Sequence, residues 1–86
     1  MNTRDMRPLQ RIRTLSLQNP VGITADPKLL QNRKEGLAGT LASPIKDHEG
    51  AWWVYDPKGT CSPYWYFELT FLRTEEQLEI FGDIRT

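Results

Sequence analysis

The stretch Ala51-Trp52-Trp53-Val54-Tyr55-Asp56-Pro57-Lys58-Gly59-Thr60-Cys61-Ser62-Pro63-Tyr64-Trp65-Tyr66-Phe67 places an aromatic cluster on either side of a turn. Asp56-Pro57-Lys58-Gly59 fits a type I turn, with Asp first, Pro presetting the backbone angle second, and Gly fourth. Ala51–Tyr55 therefore reads as one strand. Thr60–Pro63 lengthens the connection, and the next strand reads as Tyr64–Leu69 or, at its longest, Tyr64–Leu72. Side chains alternate across a strand, so only half of each cluster can enter one core. Val54 is the aliphatic member of its strand and takes Trp52 inward, leaving Trp53 and Tyr55 outside. Leu69 takes Trp65 and Phe67 inward, leaving Tyr64, Tyr66 and Glu68 outside. Half exposure of the four outer rings would give an apolar patch of roughly 300–500 Å², at or above the largest patch of a typical monomer.

Upstream, Val21, Ile23 and Ala25 alternate with Gly22 and Thr24 as a half-buried strand does. Lys28–Glu35 reads as a polar loop pinned by Leu29 and Leu30. Gly36-Leu37-Ala38-Gly39-Thr40-Leu41-Ala42 is a strand whose glycines suit a tight bend and close backbone approach. Pro44 interrupts it, and Lys46-Asp47-His48-Glu49-Gly50 is a charged turn. Leu9–Leu17 fits a short strand or a helical turn, and Asn19-Pro20 ends it. Downstream, Thr74-Glu75-Glu76-Gln77 matches a capping box with Thr74 as cap and Gln77 reaching back. It opens a helix over Glu75–Phe81 that stops at Gly82.

The chain has 86 residues, one domain's worth, with 38% hydrophobic and 26% charged residues. No run approaches the ~18–20 apolar residues of a bilayer-crossing helix. Met1–Arg13 lacks an apolar leader core, and the single cysteine, Cys61, cannot form an internal disulfide. A cytoplasmic location is expected, with no membrane association. The zero net charge is uneven: residues 1–20 hold four arginines against Asp5, while residues 73–86 hold two arginines against four carboxylates. A basic arm of that kind reaches a nucleic acid or folds back onto the acidic C-terminal segment.

No constellation asks for catalysis. His48 is the one histidine, so a multi-histidine metal site within the chain is excluded. Cys61 with His48 lacks an orienting third group, and the glycines match neither a dinucleotide fingerprint nor a P-loop. The expectation is a non-enzyme without cofactor or metal.

The order of features over residues 21–72, carried by Val21-Gly22-Ile23, Gly36-Leu37-Ala38-Gly39-Thr40-Leu41, Trp52-Trp53-Val54 and Tyr66-Phe67-Glu68-Leu69, resembles small SH3-like barrels. Similar layouts occur in KOW and Tudor-type domains and in the variable chain of ferredoxin-thioredoxin reductase. The resemblance implies a mainly β fold, a small barrel of four to five antiparallel strands, and a docking or scaffolding role. The domain plan is then a basic N-terminal arm (1–20), the barrel (21–73) and a short C-terminal helix with its tail (74–86). The expected function is an adaptor or accessory subunit that binds a protein partner through Trp53, Tyr55, Tyr64 and Tyr66, with Lys58 and Glu68 as polar neighbours. Two alternatives stand beside it. One is nucleic-acid binding, with Arg4, Arg7, Arg11 and Arg13 on phosphates and exposed rings on bases, against which the pI of about 6.6 weighs. The other is a homodimer through the same aromatic patch.

Overall fold

The computed structural model of the chain describes residues 6–18, 27–46 and 48–82. The expected strand at Val21–Ala25 lies outside the described residues. Among the described residues five antiparallel strands form one sheet: β1 (Arg11–Thr14), β2 (Ala38–Pro44), β3 (Ala51–Tyr55), β4 (Cys61–Trp65) and β5 (Leu69–Phe71), in the order β4-β3-β2-β1-β5. A short helix α1 (Pro27–Gln31) lies in the long β1–β2 connection, a 3-10 turn (Tyr66–Glu68) separates β4 from β5, and helix α2 (Thr74–Phe81) follows. Among the described residues the sheet is not closed by hydrogen bonds, and β4 and β5 are its two edges. Among the described residues no helix is long and apolar enough to cross a membrane.

The open alternative at residues 9–17 resolves as strand β1, which pairs with β2 on one side and β5 on the other. Met6, upstream of it, is buried in the core, and the Leu9 N–H donates to Leu41 O (2.8 Å). Part of the stretch read as a basic arm is thus built into the fold: Met6 enters the core and Arg11–Thr14 form a strand. Ile12, Leu41, Trp52, Val54, Tyr64 and Leu69 fill the interior on one face. On β2, Leu41 stands opposite Val54 and Pro44 opposite Trp52, so β2 carries one extra residue there, a bulge. Gly39 lies so near β3 that a Cβ would fall 2.7 Å from Tyr55 O and 2.8 Å from Val54 Cγ1. That is the close approach its sequence context announced.

The β3–β4 hairpin corrects the sequence reading. Gly59 N–H donates to Asp56 O (3.0 Å), as a four-residue turn requires, and Asp56 Oδ1 accepts from the N–H groups of Lys58 (2.9 Å) and Thr60 (2.8 Å). The ladder resumes at once, with Cys61 opposite Tyr55 and Pro63 opposite Trp53. Thr60–Pro63 is therefore mostly strand. The strand expected over Tyr64–Leu69 stops at Trp65, where the 3-10 turn intervenes. Three residues in a tight turn break the two-residue alternation, so parity counted back from Leu69 fails. Tyr64 is fully buried opposite Trp52, and Glu68 is fully buried too, whereas Phe67 is exposed and Trp65 half-buried.

The C-terminal helix begins one residue early. Arg73 occupies the cap position and Thr74 the first helical turn, because Gln77 N–H donates to Arg73 O (3.0 Å). Glu76, not Gln77, reaches back, its Oε1 accepting from the Arg73 N–H (3.3 Å). Gln77 is buried, and its side-chain amide donates to Leu72 O (3.1 Å). Gly82 ends the helix in the left-handed conformation at φ 72°, as expected of a C-terminal glycine.

Candidate functional site

The outer face of the sheet is built by cross-strand register. Asp56 N–H donates to Thr60 O (3.0 Å) and Tyr66 N–H to Gly50 O (2.7 Å), fixing the hydrogen-bonded rows at both ends of the hairpin. Such rows alternate with non-hydrogen-bonded ones. Tyr55/Cys61, Trp53/Pro63 and Ala51/Trp65 therefore occupy the non-hydrogen-bonded rows, where facing side chains stand closest. All three point away from the Trp52–Val54–Tyr64 core.

Trp53 and Trp65 pack with Ile45 and Ala51 into a second, smaller apolar cluster on this face. The Phe67 ring stacks on Trp65 with centroids 6.0 Å apart and planes at 10°, and Tyr66 meets Phe67 edge-on at 5.3 Å. The result is a continuous row: Tyr55, Trp53, Trp65, Phe67 and Tyr66. Its two ends are open, with Tyr55 45%, Tyr66 37% and Phe67 48% exposed. Beside Tyr55 lies an open groove of about 260 Å³ lined by Leu29 of α1, Ala42 and Ser43 at the β2 bulge, Trp53, Tyr55 and Cys61.

Of the residues named from sequence, Trp53, Tyr55 and Tyr66 lie on this row, and Lys58 is exposed at the hairpin tip. Tyr64 and Glu68 do not; both are interior. The Glu68 carboxylate accepts from the Arg33 guanidinium, from the Trp65 N–H (2.8 Å) and from the Gln18 N–H. The Arg33 guanidinium lies over the Tyr64 ring at 5.3 Å, and the Tyr64 hydroxyl accepts from the Lys34 N–H (2.9 Å) and the Ser62 hydroxyl (3.3 Å). This network fastens the β1–β2 connection to the sheet. Phe67, Trp65 and Leu29 were missed as surface residues. Phe67 and Trp65 were misplaced by the parity break, and Leu29 comes to line the groove only through the fold.

Two of the four arginines of the alternative reading, Arg11 and Arg13, have partners within the fold. Arg11 stacks over Phe81 of α2 at 3.9 Å and donates to the Thr40 hydroxyl. Arg13 donates to Gly36 O (3.1 Å) and pairs with Glu76 of α2 at 3.6 Å. Arg7 is exposed, and Arg4 lies outside the described residues. Arg11 and Arg13 of β1 thus meet side chains of the acidic helix α2.

Burial pushes the Cys61 thiol above its ordinary pKa, and a hydrogen bond with Tyr55 offsets this only in part. A raised thiol is a poor nucleophile at neutral pH. His48 sits in the β2–β3 turn, at the opposite end of β3 from Cys61. The two are separated by about 15 Å at ~3.3 Å per residue. Among the described residues, no group of three or more His, Cys, Asp or Glu is placed to hold a metal ion. Comparisons with protein-family models, with curated proteins and with solved structures found no match.

Proposed function

We propose that this chain is a non-catalytic interaction module, an adaptor or accessory subunit, that binds a protein partner on the outer aromatic row of β3 and β4. The observation that carries the reading is the contrast between the two faces of one hairpin. The inner face is filled by Trp52, Val54 and Tyr64, while the outer row ends in rings still a third to a half exposed. Trp and Tyr supply a disproportionate share of interface energy when desolvated, and neighbouring exposed rings, unlike apolar residues scattered singly, form the kind of patch at which partners dock.

We read the domain as a small SH3-like barrel. The long β1–β2 connection, the meander from β2 to β4, and the 3-10 turn that returns β5 to the side of β1 support that reading. Fold alone carries no function, so the proposal rests on the surface.

The test is an affinity capture with the intact chain and with a Tyr55→Ser, Phe67→Ser variant, chosen because both side chains are exposed and replaceable without opening the core. A partner held by the intact chain and lost from the variant is the expected result. The same proteins recovered with both would refute the assignment of the surface.

A further inference from the structure

Helix α2 is docked on the sheet without an apolar seam. Its one buried residue is Gln77, which is polar. Leu78 and Ile80 are exposed and Phe81 is half-buried. Among the described residues, neither apolar cluster includes a side chain of α2. Helices of globular proteins draw most of their stability from a packed apolar face. Two turns are also well short of the ~12–15 residues at which an isolated helix becomes even marginal.

The contacts that do hold α2 are polar. The Arg11 guanidinium lies over the Phe81 ring at 3.9 Å, Arg13 pairs with Glu76 at 3.6 Å, and the Gln77 side-chain amide donates to Leu72 O (3.1 Å). Both members of the Arg13–Glu76 pair are about a third exposed, and a pair so placed contributes little. A cation over a ring near the surface shifts an equilibrium only about two- to fivefold.

These contacts come from both turns of the helix, Glu76 and Gln77 in the first and Phe81 in the second. A helix this short does not persist once detached, so undocking and unwinding are one step. The sheet interior of Ile12, Leu41, Trp52, Val54, Tyr64 and Leu69 contains nothing of α2 to lose.

The helix also sits at a telling place. Arg11 stands opposite Thr40, Thr40 opposite Tyr55, and Tyr55 opposite Cys61. Residues paired in this way share a face, so the four side chains cross the outer side of the sheet in one line. Phe81 covers its Arg11 end.

We infer that α2 is a latch that opens as a unit while the strands stay paired, uncovering the Arg11 end of the line that Tyr55 shares. That the uncovered strip adjoins a recognition surface rests on the interaction reading above; the opening itself does not.

Native-state hydrogen exchange on the full chain tests the latch, together with a Phe81→Ser, Glu76→Gln variant and a Val54→Ala variant, each checked for folding by circular dichroism. The helix amides from Gln77 to Gly82 should share one protection factor, roughly a hundredfold or more below the slowest amides of β2 and β3. Phe81→Ser, Glu76→Gln should lower that shared value by about fivefold or more. Val54→Ala weakens the sheet in the open and closed forms alike. It should lower β2 and β3 protection about tenfold or more and leave α2 unchanged. Helix amides as protected as the sheet, or lowered with it by Val54→Ala, would overturn the latch. So would protection graded inward from Gly82, which is end fraying, or protection unmoved by the helix variant. None of these results touches the capture test with Tyr55→Ser, Phe67→Ser, so the two readings fail separately.

Discussion

Glu68 and Arg33, 35 positions apart in sequence, form an ion pair in the interior, the carboxylate wholly buried and the guanidinium nearly so. Taking two charges out of water is costly, and their attraction offsets that only when other hydrogen bonds are satisfied as well. Here the carboxylate also holds two backbone N–H groups. Arg33→Met or Glu68→Leu alone strands a buried charge and is expected to cost about 3–5 kcal/mol. The double variant should lie well above either single one in a urea titration. Single variants of wild-type stability would show that the pair is not closed in solution.

Gly39 is expected to tolerate no side chain. A Cβ there would press on a backbone oxygen of Tyr55, which cannot move without shifting β3. Gly39→Ala should cost about 1–3 kcal/mol, the range of overpacked cores, read as a lower urea midpoint at unchanged slope.

Acid should fray the first turn of α2. Hydrogen bonds from the Arg73 backbone and then its side chain hold the Glu76 carboxyl below its ordinary value of 4.5, with Arg13 adding a smaller attraction. A group depressed in the folded state contributes stability above its unfolded pKa and loses it as pH falls through the folded one. The helical signal should therefore decline as the pH falls below about 4.5, and Glu76→Gln should remove that step. An acid transition unchanged in Glu76→Gln would assign it elsewhere.

Cys61 should alkylate slowly. Its raised pKa leaves little thiolate near neutrality, and the Tyr55 hydrogen bond is what holds the value down. Iodoacetamide at pH 8 is expected to modify Cys61 more slowly than a free cysteine, and more slowly still in Tyr55→Phe. A rate as fast as free thiol would contradict the burial of this side of the groove.

Much of the hairpin was legible from sequence because its signals are local. Asp56 and Gly59 specify the turn through bonds spanning three residues, and the sorting of Trp52 and Val54 from Trp53 and Tyr55 needs only alternation. Gly82 ends its helix for an equally local reason. What failed depended on distance or on irregular backbone. Glu68 reads as a solvated charge until Arg33 arrives from the other end of a long connection. Tyr64 was misassigned because the 3-10 turn, which no periodicity announces, shifts the parity of every position before it. Cys61-Ser62-Pro63 has the composition of a loop and is a strand because β3 pairs with it, with the Pro63 nitrogen in a row where no ladder bond to β3 is needed.

The affinity of a captured partner for the intact chain and for Tyr55→Ser, Phe67→Ser, alongside the urea stability of both, tests the central claim most directly. The account predicts a loss of about thirtyfold or more in affinity, some 2 kcal/mol, with stability changed by less than about 1 kcal/mol. Unchanged affinity in the folded variant would contradict it.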